Sequence, residues 1–384
     1  MDARPRLLTR PFMLAFATSF ATGLTFHGFL HLPGFLYELG AREVQIGAIV
    51  GTMGVTSVLA RPMVGRLMDT RGRRVVLIAG AALTTVACAL YLTVSSIGPW
   101  LYAIRMIHGL AGAAMFPVLF TIAVDIVPEI RLTEGIALFG VSGMLPMSIG
   151  GLAGDAILSV GGYDDLFAAL AAMALLAFFV SLAIADSRPP PALAAPPRQG
   201  FLRALSQADL RPLWILAFAF AVVLAAYFTF LKTYVVTTGR GSVGLFFTAY
   251  AAAAIGLRVL LGWVPDRVGR KVALVPSVLC AAAGAVVLST GASHATVLSA
   301  GVLCGVGHGY AFPILSSLVA TRTAPSERGS AMAMFTTVFD LGMLVGNPAL
   351  GAVVRLTSYG TMYLGAAGVL TLALVAFAWT DRGR

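Results

Sequence analysis

Charge is what this chain lacks most. Of its 384 residues only 11% are Asp, Glu, Lys or Arg, whereas soluble globular domains carry about 25%. With 59% hydrophobic residues, such a chain cannot cover a surface that faces water. Disorder is excluded by the same figures, because a disordered chain combines low hydrophobicity with high charge. The sequence therefore predicts a protein whose outer surface faces lipid.

Cysteine and the common catalytic motifs are scarce as well. Cys88, Cys280 and Cys304 lie in apolar runs without paired spacing, which excludes a disulfide framework and a zinc motif. The sequence contains no Walker-type phosphate loop, no Ser/His/Asp constellation and no metalloprotease helix motif. Polar stretches are too short for a separate soluble catalytic domain. We therefore expect neither an enzyme nor a bound cofactor.

Long apolar runs are what the sequence has instead. A membrane-spanning helix needs about 20 consecutive apolar residues, and twelve runs reach that length approximately. Alternating β-barrel segments do not occur, so the runs predict an all-α membrane protein with twelve spans. The first run is too long for a signal peptide and is expected to be retained. The runs are 12–36, 44–63, 75–95, 100–124, 134–157, 163–185, 212–234, 243–264, 272–291, 295–320, 328–352 and 358–380.

The basic residues predict an orientation. With the N-terminus in the cytoplasm, 21 of the 26 Lys and Arg residues fall on the cytoplasmic side. This asymmetry is the positive-inside bias of membrane proteins, and it accounts for the formal charge of +10 without nucleic acid as a partner. We expect a multi-pass protein of the inner or plasma membrane whose two termini are cytoplasmic.

An internal repeat divides the chain in two. The connector Ser187–Leu210 contains five prolines and is expected to act as a semi-rigid spacer between six-helix halves at 1–186 and 211–384. Phe116-Pro117 recurs as Phe312-Pro313 at an offset of 196. At an offset of 197, Arg61, Gly65, Asp69, Gly72 and Arg73 recur as Arg258, Gly262, Asp266, Gly269 and Arg270. Two matches at nearly one offset predict halves of the same orientation.

The repeated segment carries a family resemblance. Residues 65–74, Gly-Arg-Leu-Met-Asp-Thr-Arg-Gly-Arg-Arg, resemble the signature loop of the major facilitator superfamily, and 262–271 resemble its second copy. The resemblance covers all twelve spans. It implies two pseudo-symmetric six-helix bundles that rock about a substrate site at the membrane midplane. Pro146 with Gly150 and Gly151 resembles the antiporter motif of the drug and metabolite branch, although Leu145 replaces its first glycine.

The resemblance implies a latch at the cytoplasmic side. Gly65 and Gly72 would allow tight turns and the close approach of helices, Asp69 would be attracted to the N-terminus of a neighbouring helix, and Arg73 and Arg74 would pair with acids such as Asp125 or Glu129. Such charges would hold the outward-facing state. The expected latch residues are Gly65, Asp69, Gly72, Arg73, Arg74, Asp125, Asp266 and Arg270. A basic loop that only sets topology is the alternative interpretation.

Ionisable residues inside spans are costly and indicate function. Four of the five histidines fall in spans one, four and ten, which in this family line the central cavity together with span seven. The cavity candidates are His27, His31, Arg105, His108, Tyr227, His308 and Asp340. Asp340 is the first choice as proton acceptor, the histidines would carry protons or contact substrate, and Arg105 would attract an anion. Alternatively, these groups are satisfied core residues, Asp340 has a structural partner and Arg105 extends toward the interface.

The predicted function is proton-coupled transport of a small organic molecule, in the direction of efflux, by a monomer. A second hypothesis is an importer, or a transporter of a transition metal or metal chelate that the histidines would ligate. A third is a membrane sensor or assembly factor that transports nothing.

Overall fold

The computed structural model describes residues 5–41, 43–187, 201–238 and 240–381, and these ranges consist of helices joined by short connections, with no strand among them. Four short 3-10 turns, among them Phe29–His31 and Glu129–Arg131, connect longer helices. The helices are α1 Arg10–Gly28, α2 Leu32–Glu38, α3 Glu43–Arg71, α4 Arg73–Leu90, α5 Pro99–Ile126, α6 Leu132–Val160, α7 Tyr163–Leu182, α8 Phe201–Ser206, α9 Arg211–Thr238, α10 Val243–Leu261, α11 Val264–Val268, α12 Arg270–Ser289, α13 His294–Thr321, α14 Arg328–Leu356 and α15 Tyr359–Thr380.

The predicted twelve-span, all-α architecture is confirmed. Twelve helical segments of the described chain are long and apolar enough to cross a membrane. The first of them, Arg10–Glu38, contains α1, a 3-10 turn and α2. Its break coincides with Pro33, which has no N–H to donate to the carbonyl of Phe29 and so interrupts the regular hydrogen bonding. The first span therefore lies where hydropathy predicts it, with a local irregularity at proline.

The second span is longer than its hydropathy predicts. The apolar run ends at 63, but α3 continues to Arg71 with Pro62 inside it. Gly65 and Asp69 are therefore in the last turns of a helix and not in a loop, which corrects the expected turn at Gly65. The connection to α4 is reduced to Gly72, whose φ of +104° is a conformation that favours glycine. Charged residues near the end of α3 lower the hydropathy without ending the helix.

The helices group into two compact units. The first consists of residues 1–128, 139–201 and 325–333, and the second of residues 129–138, 202–324 and 334–384. Two helices, α6 and α14, are divided between the units, because their first turns belong to one and their remaining turns to the other.

Each unit repeats the same internal packing. In the first, α5 packs on α3 and α4, and in the second, α13 packs on α10 and α12. Glycine allows the helices to approach closely at equivalent points. A Cβ atom on Gly109 would lie 2.6 Å from the carbonyl oxygen of Met53, and a Cβ atom on Gly305 would overlap the carbonyl oxygen of Tyr250. The two glycines are 196 residues apart, so the sequence repeat is also a packing repeat.

A buried carboxylate ties together helix ends of the second unit. Asp381, which follows α15, accepts hydrogen bonds from Arg322 at 2.7 and 2.9 Å and forms an ion pair with Lys271 at 2.9 Å. Its side chain is 2% exposed. Burial by itself raises the pKa of Asp381, but the hydrogen bonds from Arg322 and Lys271 outweigh it and hold the pKa below the usual range. The carboxylate stays ionised and clamps the ends of three helices.

Candidate functional site

Asp69 lies against the first turn of a helix. One oxygen of its carboxylate accepts a hydrogen bond from the backbone N–H of Gly329 and the other from that of Ser330, each at 2.9 Å. The side chain is 3% exposed, and the two amides belong to the first turn of α14. The first N–H groups of a helix have no partner within it and carry partial positive charge, so a carboxylate there stabilises the helix end.

Gly65 allows this close approach. A Cβ atom at Gly65 would lie 3.0 Å from the Cα of Ser330 and 3.2 Å from the Cβ of Ala333. Since real Cβ atoms are rarely so close, a side chain at this position would push the last turns of α3 away from α14. The glycine is needed for helix contact and not for a turn.

Arg73 is a fully buried cation whose donors are satisfied. Its guanidinium is 0% exposed, with Nε at 3.1 Å from the carboxylate of Asp125 and Nη1 at 3.5 Å from that of Asp69. Nη1 also donates to the carbonyl of Met68 at 2.9 Å, and Nη2 donates to that of Pro325 at 3.0 Å. Asp125 in turn accepts from Ser187 at 2.9 Å. Arg73 therefore connects two carboxylates with the turn that precedes α14.

Arg74 has different partners from those the sequence suggests. Its guanidinium donates to the carbonyls of Ile184 and Leu182 at 3.0 Å each, at the end of α7, and not to an acidic side chain. Asp186, which sequence analysis did not single out, accepts from the backbone N–H of Arg73 at 2.9 Å. A Cβ atom at Gly72 would overlap Asp186. This part of the signature segment anchors α4 to α7.

The second copy of the motif has a related geometry. Asp266 accepts a hydrogen bond at 2.9 Å from the backbone N–H of Glu134 in the first turn of α6, and it pairs with Arg270 at 3.2 Å. Arg270 also donates to Thr133 Oγ1 at 3.0 Å. Ser330 and Glu134, whose amides bind the two aspartates, are themselves 196 residues apart. Asp69 thus caps the start of α14 and Asp266 the start of α6, and these two helix starts occupy equivalent positions in the two halves of the repeat.

Thr133 extends this second cluster. Its hydroxyl lies 3.1 Å from that of Ser317 on α13, and both side chains are fully buried. Arg131 and Glu134 beside it form a two-point ion pair at 2.8 and 2.6 Å. None of these four residues was among the predicted latch residues. The start of α6 could have been predicted from the sequence, because it lies 196 residues before the start of α14.

His27 and His31 lie on the same side of the first span, against α6. A Cβ atom on Gly150 would lie 3.0 Å from the Cβ of His27, and one on Gly154 would overlap the ring of His31. His31 Nε2 is 3.2 Å from the carbonyl oxygen of Gly151, so this nitrogen carries a proton, since a carbonyl can only accept. His31 Nδ1 is 3.8 Å from the carboxylate of Asp155, which sequence analysis did not select.

Arg105 and His108 are buried in the helix packing of the first unit, at 4% and 3% exposure. Arg105 donates to the carbonyls of Ile49 at 3.1 Å and Val50 at 2.8 Å and to the hydroxyl of Tyr91 at 3.2 Å. Arg105 therefore braces α3 and does not extend toward the interface. The ring of His108 meets Phe29 edge to face at 4.7 Å between centroids.

His308 has a free donor on its ring. Nδ1 lies 2.5 Å from the hydroxyl of Tyr250, a side chain that is 2% exposed. If Nδ1 were the donor, the buried tyrosine proton would have no acceptor, which is costly. The favoured arrangement has Tyr250 donating to Nδ1, so that Nε2 carries the hydrogen. No acceptor for this Nε2–H occurs among the residues that the structure describes.

Aromatic rings frame His308, and one of them immediately precedes Asp340 in the chain. Phe220 and Phe312 meet the imidazole edge to face, with centroids at 5.6 and 6.0 Å. Phe339 packs on both of these rings, at 6.2 and 5.4 Å. Asp340, the next residue of α14, is half-buried. The structure thus places His308 in an aromatic cluster of the second unit, and Asp340 follows one of its rings along α14.

Tyr227 lies outside this cluster. Its hydroxyl donates to the carbonyl of Ala281 at 2.7 Å and the whole side chain is buried. It contacts Phe246 and Tyr363, so it packs α9 against its neighbours. A group of three or more metal-ligating His, Cys, Asp or Glu side chains does not occur within the described residues.

Twelve spans, an internal repeat and a doubled helix-capping aspartate define a class of secondary transporters. A model of the Major Facilitator Superfamily matches residues 12–242 and 237–384, and the chain belongs to this family. It is a multi-pass membrane transporter and not an enzyme.

Relatives and solved structures agree with this assignment. The MFS-type transporter YhhS of Salmonella typhimurium (strain LT2) is 24% identical over 358 residues, 90% of this chain and 85% of the relative. The staphylopine export protein of Staphylococcus aureus (strain Mu50) is 22% identical over 378 residues, 94% and 93% of the two chains.

Among solved structures, the human organic anion transporter MFSD10 matches with a TM-score of 0.83 at 19% identity, covering 97% of this chain and 100% of that one. The Escherichia coli fucose:proton symporter FucP matches with a TM-score of 0.82 at 14% identity, covering 98% and 100%. These likenesses establish the fold.

Proposed function

We propose that this chain exports a small organic compound across the cell membrane in exchange for protons, as a monomer that works by alternating access. The observation that carries the proposal is His308, an ionisable group held in an aromatic frame inside the second unit, with the ionisable Asp340 next in the chain to Phe339 of that frame. Such groups are expensive within a membrane and mark pathways for ions or substrates.

The aromatic frame supports an organic substrate. Phe220, Phe312 and Phe339 offer apolar faces and edges, and the Nε2–H of His308 offers one hydrogen bond. A site of this composition suits a small molecule with an apolar body and a single acceptor group. Asp340 would take up the proton that drives exchange, and His27 and His31 would serve the outer part of the pathway.

The capping aspartates support alternating access. Asp69 and Asp266 each bind the start of a helix that is divided between the two units, α14 and α6 respectively. Contacts of this kind would hold one state of the transporter and release in the other. The staphylopine exporter among the relatives and the antiporter-like Pro146, Gly150 and Gly151 favour efflux.

The proposal is tested in two steps with purified protein. A thermal-shift screen against metabolites, drugs and metal ions at two pH values identifies a compound that raises the melting temperature. That compound is then loaded into proteoliposomes, and we expect an imposed pH gradient to drive its movement against its own gradient. Movement that ignores the pH gradient would refute proton coupling, and binding confined to metal ions would favour the metal-transport hypothesis instead.

A further inference from the structure

Proline at position 313 leaves a backbone acceptor without its helical partner. In an α-helix the carbonyl of residue i accepts from the N–H of residue i+4, and Pro313 has no N–H. The carbonyl of Gly309 in α13 therefore cannot be satisfied within its own helix. In a membrane such a group must find a donor on a neighbouring helix, because no water is present to supply one.

Arg258 on α10 supplies that donor. Its Nε donates to the carbonyl of Gly309 at 3.0 Å, and its Nη2 donates to the carbonyl of His308 at 3.1 Å. The guanidinium is 3% exposed, and no carboxylate lies within ion-pair distance of it in the described part of the chain. Among the described residues this buried cation has two backbone carbonyls as hydrogen-bond partners and gains no stabilisation from a counter-ion. Its role is therefore to satisfy those carbonyls.

Glycine brings the two helices close enough for this contact. A Cβ atom on Gly309 would lie 3.0 Å from Leu257 and 3.4 Å from the backbone of Ala254. The same helix α10 carries Tyr250, which donates to Nδ1 of His308. One helix thus holds residue 308 twice, by its backbone through Arg258 and by its ring through Tyr250.

We propose that Arg258 is a positioning residue, which replaces the hydrogen bond that Pro313 removes from α13 and thereby fixes the backbone from which His308 presents its Nε2–H. The backbone clamp is independent of transport, whereas its consequence for substrate binding by His308 rests on the proposed function.

The clamp is tested by a double-mutant cycle on the melting temperature of the purified full-length protein. Arg258→Met removes both donors and is expected to lower the melting temperature by roughly 5 °C. Pro313→Ala restores an N–H that can donate to Gly309. In the Pro313→Ala background we therefore expect Arg258→Met to cost less than half as much, because one of the two carbonyls no longer needs the arginine.

Pro276→Ala provides the matched control, since this proline lies in the interior of α12 and Arg258 makes no hydrogen bond there. The effects of Arg258→Met and Pro276→Ala should add. If Arg258→Met and Pro313→Ala are also additive, the clamp does not exist. Should Arg258→Met fail to fold, Arg258→Lys runs the same cycle, with one ammonium able to serve one carbonyl.

The effect on His308 is tested by nitrogen NMR of the protein labelled with ¹⁵N in its histidine rings. In the wild type at pH 7 we expect His308 to show one bare and one protonated ring nitrogen, the signature of a single neutral tautomer. Arg258→Met and Tyr250→Phe should each give mixed tautomers at His308 and leave the signals of His294 unchanged. An unaltered His308 signal in Arg258→Met would overturn the positioning role. If transport by the wild-type protein is not coupled to protons, only the proposed function is refuted.

Discussion

Asp69→Asn is expected to lower the transport rate about tenfold while the protein reaches the membrane in normal amounts. The asparagine side chain keeps one acceptor oxygen, but its NH₂ group faces a backbone N–H where a carboxylate oxygen accepted before. The substitution also removes the negative charge beside the N-terminus of α14 and beside Arg73. Charge-assisted hydrogen bonds contribute about 1.5–3 kcal/mol, enough to shift a two-state equilibrium at least tenfold.

The measurement is flux per folded protein in proteoliposomes. Asp266→Asn is the matched comparison, because Asp266 accepts from a single backbone N–H and its loss should have the smaller effect. Unchanged transport by Asp69→Asn at normal membrane levels would remove the latch role and leave the basic segment with its effect on topology alone.

Asp340→Asn is expected to reduce transport driven by a pH gradient at least about a hundredfold, because an amide cannot carry the coupling proton. Exchange of substrate on one side of the membrane for substrate on the other should persist, since that half-reaction needs no net proton movement. Measuring both modes in the same vesicles separates loss of coupling from loss of folding.

Asp164→Asn serves as its control, since this carboxylate is exposed in the first turn of α7 and should be dispensable in both modes. If Asp340→Asn still accumulates substrate against a gradient when a pH difference is imposed, Asp340 is not the proton acceptor.

The spans and their repeat could be predicted because both depend on local properties of the sequence. A run of apolar residues long enough to cross the bilayer can form little other than a membrane-spanning helix. The 196-residue offset of the sequence repeat recurs in the helix contacts of Gly109 and Gly305. The end of α3 could not be predicted in this way, since hydropathy falls at Arg66 and Asp69 although the helix continues to Arg71.

The direction of each polar side chain was much harder to predict. In a soluble helix the apolar stripe marks the buried face, but a membrane helix is apolar toward lipid and toward its neighbours alike. Arg105 thus resembles a cavity residue in sequence, whereas in the structure it bonds the carbonyls of Ile49 and Val50. Arg258 counted only as part of the repeated motif, because the sequence does not show that its side chain lies beside the carbonyls of His308 and Gly309.

Release of the helix-start contacts during transport is the central claim, and a reversible cross-link tests it most directly. Thr133 lies in the first turn of α6, and its hydroxyl is 3.1 Å from that of Ser317. The Ser19 and Ser142 hydroxyls are 2.7 Å apart, ten residues beyond the start of α6, and provide the control pair. Both cysteine pairs are introduced into a chain whose Cys88, Cys280 and Cys304 have been replaced.

We expect oxidation of Thr133→Cys/Ser317→Cys to stop flux and reduction to restore it, because the contact can no longer open. Oxidised Ser19→Cys/Ser142→Cys should transport at the rate of its reduced form, since that contact lies away from the helix starts that we expect to separate. Full flux through a completely cross-linked Thr133→Cys/Ser317→Cys protein would contradict the account.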